Sequence, residues 1–526
     1  MSTRKPNFIL FITDQHRADF LGCYGHPLLK TPNIDAMADN GVIFDRFFVN
    51  SPVCMPNRSS LMTCRVPTSH GVRYNGIPLS KQNVTFVELL RDAGYETALI
   101  GKSHLQNFSG APPTTKKPEA RPGYHQAQGE LSEAVRHNLN SPEYQFEEPD
   151  FWTTEQPRVA TPFYGFDHVE LVTGHGDAIG GDYKAWLLER EPDAEKLIGA
   201  NNQLKHDYIC PQAVRTAIPA ELYSTSYIAE RAEAWLKERT DSDKPFFLMV
   251  SWPDPHHPFN PPGDYWGRYK PEDMAVPKAF EFETWQPPLH VSEVIKAREN
   301  NQANLKGMNA IGCDVREALE ARALTCDMIT MIDDAVGKVQ NALNQSGKAS
   351  DTVTLFTSDH GDHLGDHKLL FKGSEQYEQL TRVPFIWSDP QGSQGERTTK
   401  FAQTCDIGTT ILERAKIEKA YGMQGIDISE NNPGRPHALI QYAHQKEMDG
   451  MTIPPNIHSI RDEHYRLSLF EGLEWGELYD LQNDPDELDN HWADPEYSEI
   501  RSRLLEKLTQ SLIATVNHSP APTGRA

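Results

Sequence analysis

Five short runs constrain this fold more than anything else in the chain: FILFIT (8–13), ETALI (96–100), FFLMVSW (246–252), TVTLFTS (352–358) and VPFIW (383–387). Each is continuously apolar or β-branched rather than alternating. A strand with one wet face alternates, whereas a strand buried on both faces need not. Between these runs lie segments with helical spacing: NIDAMADNG (33–41), TFVELLRDAG (85–94) and ALTCDMITMIDDAVGKVQNALNQSG (323–347), each near a glycine suited to cap it. Strands of this kind alternating with helices predict an α/β fold, a large domain with a central, mostly parallel sheet flanked by helices.

With 526 residues, the chain has room for a smaller second domain as well. The texture changes after residue 428, where HSIRDEHYRLSLF (458–470) and GELYDL (476–481) read as antiparallel strands before a charged helix at 496–516. The expected division is 1–428 and a C-terminal α+β domain at 429–526, whose terminal helix is available for an interface in a homo-oligomer. Residues 106–165 are rich in Pro, Gly, His and charge without periodicity, which predicts a long loop excursion, in the manner of a lid. Residues 260–320 form a second, partly helical excursion.

Charge narrows the partners. A net charge of −23 repels nucleic acid and anionic membranes, so a small anionic substrate needs a local cationic patch or a metal. The apolar run 8–13 is too short for a signal-peptide core and no stretch approaches a membrane span, so a cytoplasmic location is expected. Seven scattered cysteines without a framework read as reduced thiols.

Ligands of open α/β sheets bind beyond the carboxyl ends of the strands. FILFIT runs into Asp14-Gln15-His16, ETALI into Gly101-Lys102-Ser103-His104, FFLMVSW into Asp254-Pro255-His256-His257, and TVTLFTS into Asp359-His360-Gly361-Asp362-His363. Singly, each has a plain structural reading: an aspartate as helix cap, a solvated lysine, a histidine satisfied in the core. Together they bring two chemistries to one edge. Asp14, Gln15 and Asp359 offer oxygens suited to Ca²⁺ or Mg²⁺, and His360 adds a nitrogen that Mn²⁺ also accepts. Arg58, Lys102, His104, His256 and Lys372 are cationic or proton-donating. A metal ringed by such groups suits a tetrahedral anion, sulfate or phosphate. Cys54, in SPVCMPNRSS, reads by itself as a small buried thiol in a turn.

Cys54-Met55-Pro56-Asn57-Arg58 resembles the C-x-P-x-R sequence of type I sulfatases in the alkaline phosphatase superfamily. GYETALIGKSH (94–104), DPHHP (254–258), SDHGDHLGDHKLLFKG (358–373) and GELYDLQNDPDELDN (476–490) are similar to further signatures of that family, in its order. The resemblance implies an alkaline-phosphatase-like large domain and oxidation of Cys54 to formylglycine by a formylglycine-generating maturation enzyme. It implies one divalent metal, Ca²⁺ before Mn²⁺ or Mg²⁺, at Asp14, Gln15, residue 54, Asp359 and His360. The substrate it implies is a small-molecule sulfate ester. One hydroxyl of the hydrated aldehyde attacks sulfur and displaces the alcohol. The second then loses its proton, the aldehyde re-forms and sulfate leaves. Arg58 holds the diol, Lys102 and Lys372 neutralise the sulfate, His256 is the best candidate for general acid, and His104 for base in the second step.

Two positions depart from the pattern: Asn57 stands where the family has Ser or Ala, and Ser103 where it has an aromatic residue. Phosphonate monoester hydrolases are similar in their metal ligands but lack the Lys-x-His pair. Lys102 and His104 therefore favour sulfate esters, with phosphonate or phosphodiester hydrolysis as the alternative. A non-catalytic metal-stabilised binding protein would have no need of the whole set. His257, His363 and His367 lie nearby in sequence with weaker claims to a role. Trp186 and the 106–165 excursion are either pocket walls or an ordinary core aromatic and a surface loop.

Overall fold

The computed structural model of the chain describes residues 5–110, 121–154, 157–282, 285–429, 432–443 and 456–524. Its strands are, in chain order, β1 (Asn7–Thr13), β2 (Val42–Phe48), β3 (Glu96–Gly101), β4 (His168–Thr173), β5 (Gly180–Gly181), β6 (Phe246–Ser251), β7 (Ile311–Gly312) and β8 (Thr352–Ser358). Then follow β9 (Leu369–Leu370), β10 (Phe385–Ser388), β11 (Glu396–Gln403), β12 (Ala438–Ala443), β13 (Asn456–Arg461), β14 (Tyr465–Phe470) and β15 (Gly476–Asp480). The central sheet has the order β11-β2-β10-β8-β1-β6-β3-β4-β5, and β7 pairs with β9 in a separate ribbon.

Along this sheet β8, β1, β6, β3 and β4 pair in parallel, as do β11 and β2. Strand β10 runs antiparallel to both its neighbours, contrary to the uniform direction its apolar composition suggests, and edge strand β5 is antiparallel to β4. The continuous apolar runs have the expected cause. Ile9 and Phe11 of β1 join the core on one face with Leu248 and Val250 of β6, while Phe8, Leu10 and Ile12 join the other with Phe247 and Met249. Helices Ser224–Lys237 and Val315–Gln345 cover the first face, and Cys54–Thr63, Phe86–Asp92 and Thr404–Arg414 the second.

The helix expected at 85–94 is Phe86–Asp92, capped by Thr85 and Glu88 in a reciprocal pair. The helix expected at 323–347 begins earlier, at Val315, because Asp314 and Glu317 form the same kind of box at its true start. At the C-terminus, strands β12-β13-β14-β15 form an antiparallel sheet, and helix Ser498–Ala514 packs Leu504 and Leu508 onto Leu439, Ile460, Leu467 and Leu478. No helix among the described residues is long and apolar enough to cross a membrane.

Candidate active site

Four parallel strands, β1, β3, β6 and β8, place their carboxyl ends level, with Thr13 beside Ser358 and both Ile12 and Gly101 beside Ser251. Gly101 is required there: a Cβ would lie 1.9 Å from the Ser251 carbonyl oxygen. Beyond this edge stand Asp14 and Gln15 after β1, Lys102 and His104 after β3, His175 after β4, His256 after β6, and Asp359 and His360 after β8. Cys54 is the first residue of the fully buried helix Cys54–Thr63, and Arg58, four residues on, shares its face. Asn57 pins that helix to the sheet. Its Oδ1 accepts the Asn50 amide (2.8 Å) and its Nδ2 donates to the Asp359 carbonyl (2.6 Å) and Thr404 Oγ1 (3.1 Å).

Metal-type donors lie against the Cys54 thiol. Sγ is 3.1 Å from His360 Nε2 and 3.8 Å from Asp14 Oδ1, and these three with Asp359 have ligand atoms within 4.8 Å of one another. His360 Nδ1 donates to the Gly361 carbonyl at 2.8 Å, leaving the Nε2 lone pair facing the cluster. Gln15 donates through Nε2 to Asp362 and packs 2.9 Å from His257 Nδ1, while its buried Oε1 has no partner among the described residues. An orphaned carbonyl oxygen, two carboxylates and an imidazole lone pair fit a hard divalent cation.

Cations interleave with these donors. Lys372 Nζ lies 3.1 Å from Cys54 Sγ, 2.7 Å from His256 Nε2 and 3.1 Å from His360 Nε2. Lys102 donates to Asp14 Oδ2 and lies 2.8 Å from His175 Nε2. Arg58 donates through Nε to Asp359 Oδ2 (2.7 Å) and through Nη1 to the Lys102 carbonyl and Ser251 Oγ (both 3.0 Å), while buried Nη2, 4.0 Å from Asp14 Oδ2, has no hydrogen-bond acceptor among the described residues. Cys54, His104, His175, His256 and Lys372 open onto one cleft of about 2220 Å³.

Burial sets the proton affinities. It pushes the Cys54 thiol up, against the pull of Lys372 and Arg58. It opposes ionisation of Asp359 as well, but Arg58, His360, Lys102 and Lys372 outweigh it and hold that carboxyl well below its usual range. Lys102 is drawn down to about 7 by burial, with Asp359 resisting. His104 and His256 are driven far below 6.5, first by burial and then by neighbouring cations and histidines.

All ten residues singled out in the sequence (Asp14, Gln15, Cys54, Arg58, Lys102, His104, His256, Asp359, His360 and Lys372) gather here. His175 does so unannounced, its ring parallel to His256 at 3.6 Å and 11°. It follows the rule that exposed the others, but β4 (HVELVT) carries Glu170 and does not read as a buried strand. Phe108, stacked on His104 at 3.9 Å, supplies an aromatic wall beside the small Ser103. Trp186 instead packs against Tyr227 in the core, away from the cleft. His367 stacks on Tyr377 at 3.6 Å, and His363 lies 3.4 Å from Glu375, both as scaffold. Of the 106–165 excursion, Asn107, Phe108, Ser109, Tyr144 and Glu148 line the cleft, while residues 111–120 and 155–156 lie outside the described residues.

A family model described as "Sulfatase" matches residues 6–417, and one described as "N-sulphoglucosamine sulphohydrolase, C-terminal" matches 365–514. The chain is 28% identical to an arylsulfatase of Clostridium perfringens, over 96% of this chain and 94% of the relative. It is also 28% identical to a multifunctional alkaline phosphatase superfamily protein, PehA, of Trinickia caryophylli, over 95% and 93%. Among solved structures, a phosphonate monoester hydrolase of Agrobacterium radiobacter superposes with a TM-score of 0.77 at 25% identity, covering 98% of this chain and 97% of that one. The match over 6–417, on a sheet whose strand ends converge at Cys54, settles the assignment: the chain belongs to the sulfatase family, sulfuric ester hydrolases with an alkaline-phosphatase-like fold.

Proposed function

We propose that the protein hydrolyses a small-molecule sulfate monoester at residue 54 after a formylglycine-generating maturation enzyme has oxidised Cys54. The observation that carries this reading is the convergence on Cys54 Sγ of both kinds of group, with His360 Nε2 and the Lys372 ammonium each at 3.1 Å and Asp14 Oδ1 at 3.8 Å. Asp14, Gln15, Asp359 and His360 would hold one divalent cation, Ca²⁺ by the hardness of the set. That ion supplies Lewis acidity towards the sulfate and lowers the pKa of the attacking hydroxyl.

The chain's own residues do the rest. Arg58 is locked by Asp359, Ser251 and the Lys102 carbonyl, so Nη2 meets residue 54 and its substrate without reorganising. Lys102 and Lys372 bind the sulfate oxygens, each contributing roughly 3 kcal/mol by comparison with oxyanion-hole donors. His256 Nδ1 donates to the His257 carbonyl, so its Nε2 accepts from Lys372, and the leaving alcohol draws its proton from this pair. His104, neutral and facing the cleft, takes the proton from the second hydroxyl as sulfate is released. The sulfated intermediate is cleaved because an aldehyde can re-form, a route closed to serine.

Mass spectrometry of tryptic peptide 47–58 from the native organism tests the reading. Formylglycine is expected in place of Cys54, and a quantitatively alkylated thiol sinks it. A phosphonate monoesterase reading draws on the likeness to PehA and the Agrobacterium hydrolase. Parallel kcat/KM values on aryl sulfate and aryl phosphonate monoesters decide between the two, with the sulfate expected to be faster.

A further inference from the structure

Glu147 lies within the long excursion, far in sequence from any motif, yet it is completely buried. Its Oε2 accepts the His104 amide at 2.7 Å, and its Oε1 accepts the amides of Leu105 (3.0 Å) and Gln106 (2.9 Å). Gln106 answers in kind: Nε2 donates to the Glu143 carbonyl and Oε1 accepts the Phe146 amide, both at 2.9 Å. Among the described residues Glu147 forms no ion pair. A buried carboxylate without a cation is costly, and three converging amide dipoles are what hold it here.

The three captured amides begin two residues after Lys102 and belong to the turn that carries His104. His104 has a left-handed backbone (φ 54°), which a β-carbon disfavours. Among the described residues its ring has no hydrogen bond to hold its aim: Nδ1 is buried and unpartnered, and Phe108 stacks on it at 3.9 Å. The ring's direction is therefore set by its backbone, and the backbone is set by Glu147. We propose that Glu147 is a positioning residue of the hydrolytic reaction, acting through His104 by clamping the amides of residues 104–106. This rests on the sulfatase reading above, in which His104 is the base that releases sulfate.

Glu147→Gln, which keeps the size but offers one acceptor and turns an NH₂ towards amide donors, is the perturbation. The expected result is a fall in kcat of about 10- to 100-fold, the scale of a displaced catalytic group, with kcat/KM for the first, alcohol-releasing step less affected. Sulfated peptide 47–58 should accumulate in E147Q during turnover, as in H104A, and the double variant should be no slower than H104A alone. Independent losses that multiply in the double variant, or an unchanged kcat, overturn the proposal. Gln106→Ala, which cuts the reciprocal bonds but leaves the clamp, should lower the melting temperature while sparing kcat. Should E147Q not fold, Glu147→Asp replaces it: a folded E147D with wild-type kcat overturns the proposal, and an accumulating sulfo-enzyme supports it. Absence of turnover in the wild type would instead overturn the sulfatase reading and this proposal with it.

Discussion

Lys372 separates catalysis from stability more cleanly than any other residue of the site. It is 4% exposed, and its ammonium sits among Cys54 Sγ, His256 Nε2 and His360 Nε2 without a carboxylate partner among the described residues. Arg58 and Lys102, by contrast, rest on Asp359 and Asp14. Lys372→Met keeps the length of the side chain and removes the charge. If Lys372 meets the sulfate in the transition state, one preorganised donor is lost, about 3 kcal/mol or roughly 10²–10³-fold in kcat. The fold responds differently, because the variant leaves no buried anion unpaired and removes the desolvation cost of an ammonium. The free energy of unfolding should stay level or rise, by up to about 2 kcal/mol. Arg58→Met is the contrast: it strands Asp359 and should cost about 3–5 kcal/mol. The assay is initial rates of the metal-loaded proteins on an aryl sulfate, with urea unfolding of the metal-free proteins, in which Asp359 depends on Arg58. A K372M protein within about threefold of wild-type kcat/KM, or one destabilised by more than about 2 kcal/mol, refutes the reasoning.

Other consequences follow from the same geometry. Chelation should abolish activity and lower the melting temperature, and Ca²⁺ should restore both, since a ligand of the native state alone stabilises it by mass action; calorimetry with and without chelator reads this. His175→Ala removes the parallel stack on His256 and the contact at Lys102 Nζ, and should reduce kcat/KM by about tenfold with the fold intact, on the scale of one lost hydrogen bond to a charged group. Asp327, buried on helix Val315–Gln345, accepts the Gly267 and Tyr269 amides, yet burial raises its carboxyl from 3.8 to about 7. The folded state thus holds a proton that the unfolded state has released between about pH 4 and 7, so stability from this group falls as pH rises through that window. The wild-type unfolding free energy minus that of Asp327→Asn should decline from pH 5 to 8, and a flat difference counts against the assignment.

What the sequence made legible is what sits next to itself in sequence. Strands β1, β3, β6 and β8 are buried on both faces, so their composition is unambiguous, and the active residues begin within one to five positions of their ends. Strand β2 (VIFDRFF) escaped because Asp45 and Arg46 interrupt it. Asp45 pairs with Arg397 of β11, and Arg46 reaches Glu463 and the ring of Phe401. β4 escaped for a like reason, since Glu170 is neutralised by Arg231 at 2.7 and 2.9 Å, a partner 61 residues away. The direction of β10 depends on how the loop after β8 returns to the sheet, and no property of VPFIW encodes it. Glu147 was wholly invisible: its neighbours have no periodicity, and its partners are main-chain amides, which leave no trace in side-chain identity.

The site also resolves the tension between an acidic protein and an anionic substrate, and does so in a way that kinetics can detect. The net charge of −23 makes the outer surface repulsive to a sulfate ester, while the attracting groups are almost entirely sealed: Arg58 at 1%, Lys102 at 0% and Lys372 at 4% exposure. Buried charges are screened little by salt and exposed ones strongly. Between about 0.01 and 0.1 M ionic strength the Debye length shrinks from about 30 to about 10 Å, so the long-range repulsion should fade while the short-range attraction persists. In chloride salts, kcat/KM for a monoanionic sulfate ester should therefore rise over that range, with kcat nearly constant. A fall in kcat/KM as salt is added would mean that an exposed basic surface steers the substrate, and that the buried cluster is not what overcomes the protein's own charge.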